Sequence, residues 1–244
     1  MSSLRTLGRN NVAKSRALQA ISANLKATHE QQDLLLREFE ALQAIPTNMR
    51  IIASRLEPSG GPISAISDNY KYASTEISHQ LEAFAGNKAN LCWSMAEVVT
   101  EALILSGIHR LLSDLPTQFA KEDPSSASID FQKELEFLVN IQKTYATQAK
   151  EAMVKADKLS GDLNQASTEI RRMMLGLDTI RVMGRVESGR LGVAGGGLSS
   201  TIDQLDARHS EIARRLQRLM DLSAEIKAEI NFYQRHSPPP QQPR

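Results

Sequence analysis

Apolar positions recur along nearly the whole chain at alternating steps of three and four, and four long stretches carry the pattern. In the first, Leu18, Ile21, Leu25, Thr28, Gln32, Leu35, Phe39, Leu42 and Met49 line one face, as in the seam of a coiled coil. The second opens after Pro62 with Ile63, Ile66, Tyr70, Ala73, Ile77, Leu81 and Phe84, and becomes less orderly beyond Gly86 and Asn87. The third is the most regular. Leu138, Tyr145, Ala152, Leu159, Ala166, Met173 and Ile180 form one ladder of sevens, and Leu135, Ala149, Ala156, Leu163, Ile170 and Leu177 form another. A repeat sustained at 3.5 residues implies left-handed supercoiling against partner helices. The fourth runs through Leu198, Ile202, Leu205, His209, Ile212, Leu216, Leu219, Ile226 and Ile230 and stops before Ser237 and three prolines. Those prolines cannot continue a helix, so 237–244 reads as a disordered tail.

Turn signals separate the stretches. Glycine-rich bends fall near 57–62 and 192–197, and the clearest linker is KEDPSSAS, Lys121 to Ser128. Ser128 is placed to cap a helix that starts near Asp130. Gly107 and Pro116 predict a kink or break between Ser106 and Pro116.

The two bends belong to stretches that superimpose at a constant offset of 135 residues. Ile45 falls on Ile180, Arg50 on Arg185, Ile51 on Val186, Arg55 on Arg190 and Leu56 on Leu191. Beyond the bend, Gly60 falls on Gly195, Ile63 on Leu198, Asp68 on Asp203, Glu76 on Glu211 and Leu81 on Leu216. A self-match at one period marks a duplicated supersecondary unit. The expected fold is all-α: a long antiparallel four-helix coiled-coil bundle made of two duplicated helical hairpins. Residues 1–121 form the first, with its tip near 57–62, and 129–236 the second, with its tip near 192–197, in one continuous bundle.

Each inner helix of such a rod is roughly 60 residues long against about 40 for each outer one, at 1.5 Å per residue. The excess would leave apolar surface wet. Residues around Leu103–Leu115 and Phe131–Ile141 are therefore expected to fold back, or to be covered by the N-terminal segment near Leu4–Leu18.

The composition is that of packed long helices, with 5% aromatic residues. Its 29 basic and 28 acidic side chains cancel, which argues against nucleic acid or an anionic membrane as partner. Cys92 is alone, so no intramolecular disulfide framework and no CxxC pair exist, and a reducing cytoplasmic location fits best. The N-terminus lacks the apolar core of a secretory signal. The most apolar run, Leu91 to Leu112, carries Glu97, Glu101 and His109, and is expected to be a buried helix rather than a membrane span.

Enzyme chemistry finds little support. His29, His79, His109, His209 and His236 lack His or Cys partners at metal-ligand spacing, and His29 and His209 fall on seams. GVAGGG lacks the Lys-Ser/Thr of a phosphate-binding loop and joins helix to helix. No catalytic residue, metal or cofactor is expected.

The stretch from Asn48 through Arg55 and Gly60 to Ile63 and Ile66 resembles the membrane-distal hairpin tip of the cytoplasmic signalling domain of bacterial methyl-accepting chemotaxis proteins. The second copy, from Val186 through Glu187, Arg190 and Gly195 to Leu198, keeps that family's order of Glu, two small residues, Arg, any residue and Gly more closely. In those receptors a homodimer brings two hairpins together. Here one chain carries both, so the resemblance implies that a monomer can form the four-helix bundle internally, with higher oligomers open. It also implies that Glu187, Arg190 and Arg55 take the acidic and basic tip positions. Asn48, Gly60, Ile63, Ile66, Gly195 and Leu198 would complete a surface for protein partners, a chemotaxis histidine kinase or its coupling protein. The sequence departs from the family at Ile52, where a Glu is usual, and at Met183, where an Asn is usual. It also lacks the paired Glu or Gln of adaptation sites. The glycines read equally as turn geometry, the Arg and Glu by default as helix cross-links, and Ile63, Ile66 and Leu198 equally as ordinary seam residues.

The functional expectation is a receptor-like signalling or scaffolding protein that contacts protein partners through its tips. The alternative is a structural coiled coil or a membrane-active bundle that exposes Leu91 to Leu112.

Overall fold

The computed structural model describes residues 2–56, 58–86, 90–119, 131–192 and 196–236. The protein is all-α, with no strand among the described residues. Among the described residues five helices follow in order: α1 (Ser2–Arg55), α2 (Gly61–Ala85), α3 (Leu91–Phe119), α4 (Phe131–Leu191) and α5 (Gly196–Arg235). The KEDPSSAS linker, the Ser128 cap, Gly195 and the tail 237–244 lie outside the described residues.

The break expected between Ser106 and Pro116 is absent. The second stretch divides into α2 and α3 near Gly86–Asn90, whereas α3 is continuous through Gly107 and Pro116. Gly86 leaves the helix with extended backbone, and its N–H bonds the Glu82 carbonyl at 2.8 Å. The Asn90 side chain then accepts from the Cys92 N–H at 2.9 Å and starts α3 as an N-cap. Pro116 lies three residues before the end of α3, so the single donor it withdraws, the one for the Leu112 carbonyl, is lost close to the helix terminus and α3 ends within its next turn. α1 likewise runs through Pro46.

The chain divides into two compact units that cut across both hairpins. The first holds Met1–Lys26, Trp93–Gly161 and Ala224–Arg244. In it the N-terminal segment shares a unit with the parts of α3 and α4 expected to need cover. Lys14 Nζ lies 5.6 Å from the centre of the Tyr233 ring, and His109 Nδ1 lies 3.3 Å from the Gln142 carbonyl oxygen. Burial lowers the Lys14 ammonium pKa from its ordinary value. The Leu91–His109 run is only 28% buried, less than the buried helix the sequence led us to expect.

The second unit holds Ala27–Cys92 and Asp162–Ser223, and so takes parts of α1, α2, α4 and α5 together with both bends. Its interior is set by the predicted seams. Leu35, Phe39, Leu42 and Met49 of α1 are buried with Ile63, Tyr70, Ile77 and Leu81 of α2 and Leu198, Leu205, Ile212 and Leu216 of α5. Each such side chain withdraws apolar area worth about 1.5–3 kcal/mol.

In α4 the ladder Ala149, Ala156, Leu163, Ile170 and Leu177 is buried, whereas of the other predicted ladder only Ala152 is, and Leu138, Tyr145, Leu159, Ala166, Met173 and Ile180 are half-buried. The other core ladder is Met153, Ser160, Ser167 and Met174. Hydropathy hides it because of the serines, yet the Ser167 hydroxyl donates to the Leu163 carbonyl at 2.9 Å and needs no external partner.

Burial repeats at the 135-residue offset. Leu42 and Leu177, Ala53 and Ser188, Ile63 and Leu198, Ile77 and Ile212, and Leu81 and Leu216 are all buried pairs.

Candidate functional site

The two bends solve the same reversal differently. In the first, Leu56 N–H donates to the Ala53 carbonyl at 3.0 Å, and Gly60 N–H to the Leu56 carbonyl at 3.1 Å. Gly60 keeps negative φ, and a Cβ there would lie 2.0 Å from the Ala53 carbonyl oxygen. Close backbone approach therefore requires glycine at this position. In the second bend Gly192, directly after α4, takes φ +54°, the left-handed state that ends many helices.

Residues from both hairpins meet just below the bends. A Cβ on Gly184 of α4 would lie 3.7 Å from Met49 of α1, Ile66 of α2 and Ile202 of α5 alike. A Cβ on Gly197 of α5 would lie 3.8 Å from Ile52 of α1. At that distance a Cβ would be in ordinary contact with all three, so Gly184 marks the point where four helices meet.

Ion pairs flank this core at matching positions. Arg50 bonds Asp68 at 3.3 Å, and Arg185, at the same offset, bonds Asp203 at 3.0 Å. Arg185 also bonds Asp206, which takes a second guanidinium from Arg181. Burial pushes the Asp206 carboxyl up, but the bonds from Arg181 and Arg185 outweigh it and hold it below the usual carboxylate range. Arg181 continues to Asp178 at 3.2 Å, and Asp178 accepts from His209 Nδ1 at 2.9 Å. His209 Nε2 meets the Tyr70 hydroxyl inside the core. Neutral His209 satisfies both neighbours, donating from Nδ1 and accepting from Tyr70 at Nε2. Burial lowers the His209 pKa, opposed by the bond to Asp178, and burial raises that of Tyr70. A polar chain thus runs from the buried centre to the surface below the second bend.

The predicted site residues divide into two groups. Arg55, Arg190 and Asn48 are exposed. Glu187 accepts from Arg190 Nε at 2.8 Å, and that bond holds its carboxyl below the usual range. Asn48 borders a groove of about 350 Å³ between α1 and α5, where Arg208 donates to Glu38 at 2.6 Å. Ile63, Ile66 and Leu198, by contrast, are buried in the tip core and present no side-chain surface outward. They fill the core beside the bends. Sequence reasoning missed Tyr70, Asp178 and Asp206; the seam position of His209 was the one signal that pointed there.

Among the described residues no group of three or more His, Cys, Asp or Glu side chains could hold a metal ion. The sequence matches no protein-family model and no curated protein.

Proposed function

We propose that the chain is an antiparallel four-helix coiled-coil bundle built from two duplicated hairpins, and that its paired tips are a docking surface for protein partners in signalling or scaffolding. The matching ion pairs Arg50–Asp68 and Arg185–Asp203, 135 residues apart, carry this reading, because an unrelated second hairpin has no reason to repeat them. The convergence of four helices on Gly184 supports it further. Exposed Arg55, Arg190 and Asn48, with Glu187 beside Arg190, supply the polar contacts. The tip resemblance makes a chemotaxis histidine kinase or its coupling protein the partner to test, in the cytoplasm. The experiment is co-sedimentation of the purified chain with each of these proteins. Binding lost on Arg190→Ala with Gly195→Ala, at unchanged helicity, is the expected result; equal retention of both forms on the partner, or of neither, would sink it.

A second reading rests on α3. Among the described residues Leu91–His109 is long and apolar enough to cross a membrane, with mean hydropathy 1.5. A membrane-active bundle would release vesicle contents in a manner dependent on that segment.

A further inference from the structure

Four helices of the first unit bring two bases together without an acid. Lys14 of α1 is 8% exposed, and its ammonium has the Tyr233 ring of α5 at 5.6 Å in place of a carboxylate. Tyr233 is itself buried and shares a hydrogen bond with Ser106 of α3. One turn further along α3, half-buried His109 meets the Gln142 carbonyl oxygen of α4 through Nδ1, and the Lys14 charge acts on it. Among the described residues no carboxylate acts on either base. A buried charge without a counter-charge is costly, so a second positive charge beside Lys14 is unfavourable while the helices are packed.

His209 stands in the opposite surroundings. Its Nδ1 bonds Asp178, and both Asp178 and Asp206 favour its protonated form. At His109 the added proton meets a lysine, with only a backbone carbonyl to accept from the ring.

α3 is also loosely held. Its run Leu91–His109 is only 28% buried, and the inner face within the first unit is Met95, Val99, Ala102 and Leu105. An element with few buried apolar contacts opens at lower free energy than the whole fold. In the packed state burial lowers the His109 pKa most, the Gln142 bond raises it, and the Lys14 charge lowers it again. Once α3 detaches, His109 returns to water and to its ordinary value of 6.5, so the open state takes up the proton first as pH falls.

We propose that α3 is an acid-released helix: protonation of His109 against Lys14 detaches it from α1, α4 and α5 within the first unit, while the helices around the bends stay closed. Release uncovers Met95, Val99 and Leu105 beside Trp93 and Ile104, which are already exposed. It is a property of the chain alone and stands whether or not α3 then meets a membrane.

Hydrogen exchange of the full chain, read by mass spectrometry without lipid and corrected for intrinsic exchange, tests this about one pH unit above and about one below 6.5. One proton changes an opening equilibrium by at most about tenfold per pH unit, so protection across α3 is expected to fall by about two- to tenfold at the lower pH. No comparable fall occurs in α2. In His109→Gln, α3 keeps its protection at the lower pH, whereas His209→Gln leaves the α3 response intact. Lys14→Met removes the opposing charge and shrinks the fall at unchanged helicity. The proposal is overturned if α3 loses no more protection than α2, or if His109→Gln responds as the natural chain does. It is also overturned if His209→Gln abolishes the response, or if Lys14→Met leaves it at full size.

Discussion

Arg185 bonds Asp203 at 3.0 Å, and the same two residue types, Arg50 and Asp68, bond at 3.3 Å at the matching place in the first hairpin. These pairs cross between antiparallel helices just below each bend and fix the register there. Both are solvent-exposed, where screening and side-chain entropy leave little net stabilisation. Asp206 is different, since it is largely enclosed and takes both Arg181 and Arg185. Asp206→Ala is expected to destabilise by about 1–2 kcal/mol in urea unfolding. Asp68→Ala and Asp203→Ala should each fall clearly below that; equal losses at all three would show that Asp206 has no special position.

Tyr70→Phe leaves the buried Nε2 of His209 without its donor. The expected cost is about 1–3 kcal/mol, that of an unsatisfied buried acceptor. Guanidinium unfolding of the variant measures it, and a loss under half a kcal/mol, on that same scale, would show that the hydroxyl does not bond His209.

His209 also sets a pH dependence. Its folded pKa lies below its ordinary value of 6.5, so between the two values the unfolded chain binds the extra proton. Stability is therefore full above 6.5 and falls as pH drops below it towards the folded value. Asp178, Arg181 and Asp206 are the charged groups coupled to His209, and Tyr70 packs against it from α2. His109, also lowered by burial, acts in the same direction, so the comparison must be internal. In His209→Gln, stability measured across this range should fall less steeply than in the natural chain, and an identical slope would exclude His209 as its source.

Gln32 is fully buried, and both its amide atoms lack hydrogen-bond partners among the described residues. Replacing it by leucine removes an unsatisfied group at similar volume and should raise stability by about 1–2 kcal/mol. A drop on Gln32→Leu in thermal unfolding would mean that the amide is satisfied in solution.

Glycines that look alike in the sequence should respond oppositely. Gly60→Ala drives a Cβ into the Ala53 carbonyl and should cost about 2 kcal/mol or more, whereas Gly61→Ala meets open space. Gly176→Ala, inside α4, should stabilise the chain by about 0.5–1 kcal/mol. Differential scanning calorimetry of the three variants measures these shifts, and a Gly60→Ala midpoint equal to that of Gly61→Ala would overturn the contrast.

The helices themselves were legible because burial follows hydropathy at a fixed period. Leu18 through Met49 and Leu198 through Ile230 are buried as their spacing requires. The boundary between α2 and α3 was not legible. Gly107 and Pro116 are stronger breakers by type, yet the cap made by Asn90 and the extended backbone of Gly86 decide where the helix stops. In α4 the eye follows Leu138, Tyr145 and Leu159, while the interior takes Ser160 and Ser167, whose hydroxyls can be satisfied by their own helix. Of the candidate site, the exposed charges Arg55 and Arg190 were readable, but Ile63, Ile66 and Leu198 turned inward. An apolar residue near a bend looks the same in sequence whether it awaits a partner or fills a core.

The sequence by itself determined the helical class, the two bends and the 135-residue correspondence between them, since each depends only on local propensity and on residue order. The tertiary structure alone decided which side of each helix faces inward, that His209 finds Tyr70 and Asp178, and that apolar ridges of α3 and α4 remain outside. Those facts depend on distances between residues far apart in the chain, which periodicity along one helix does not encode.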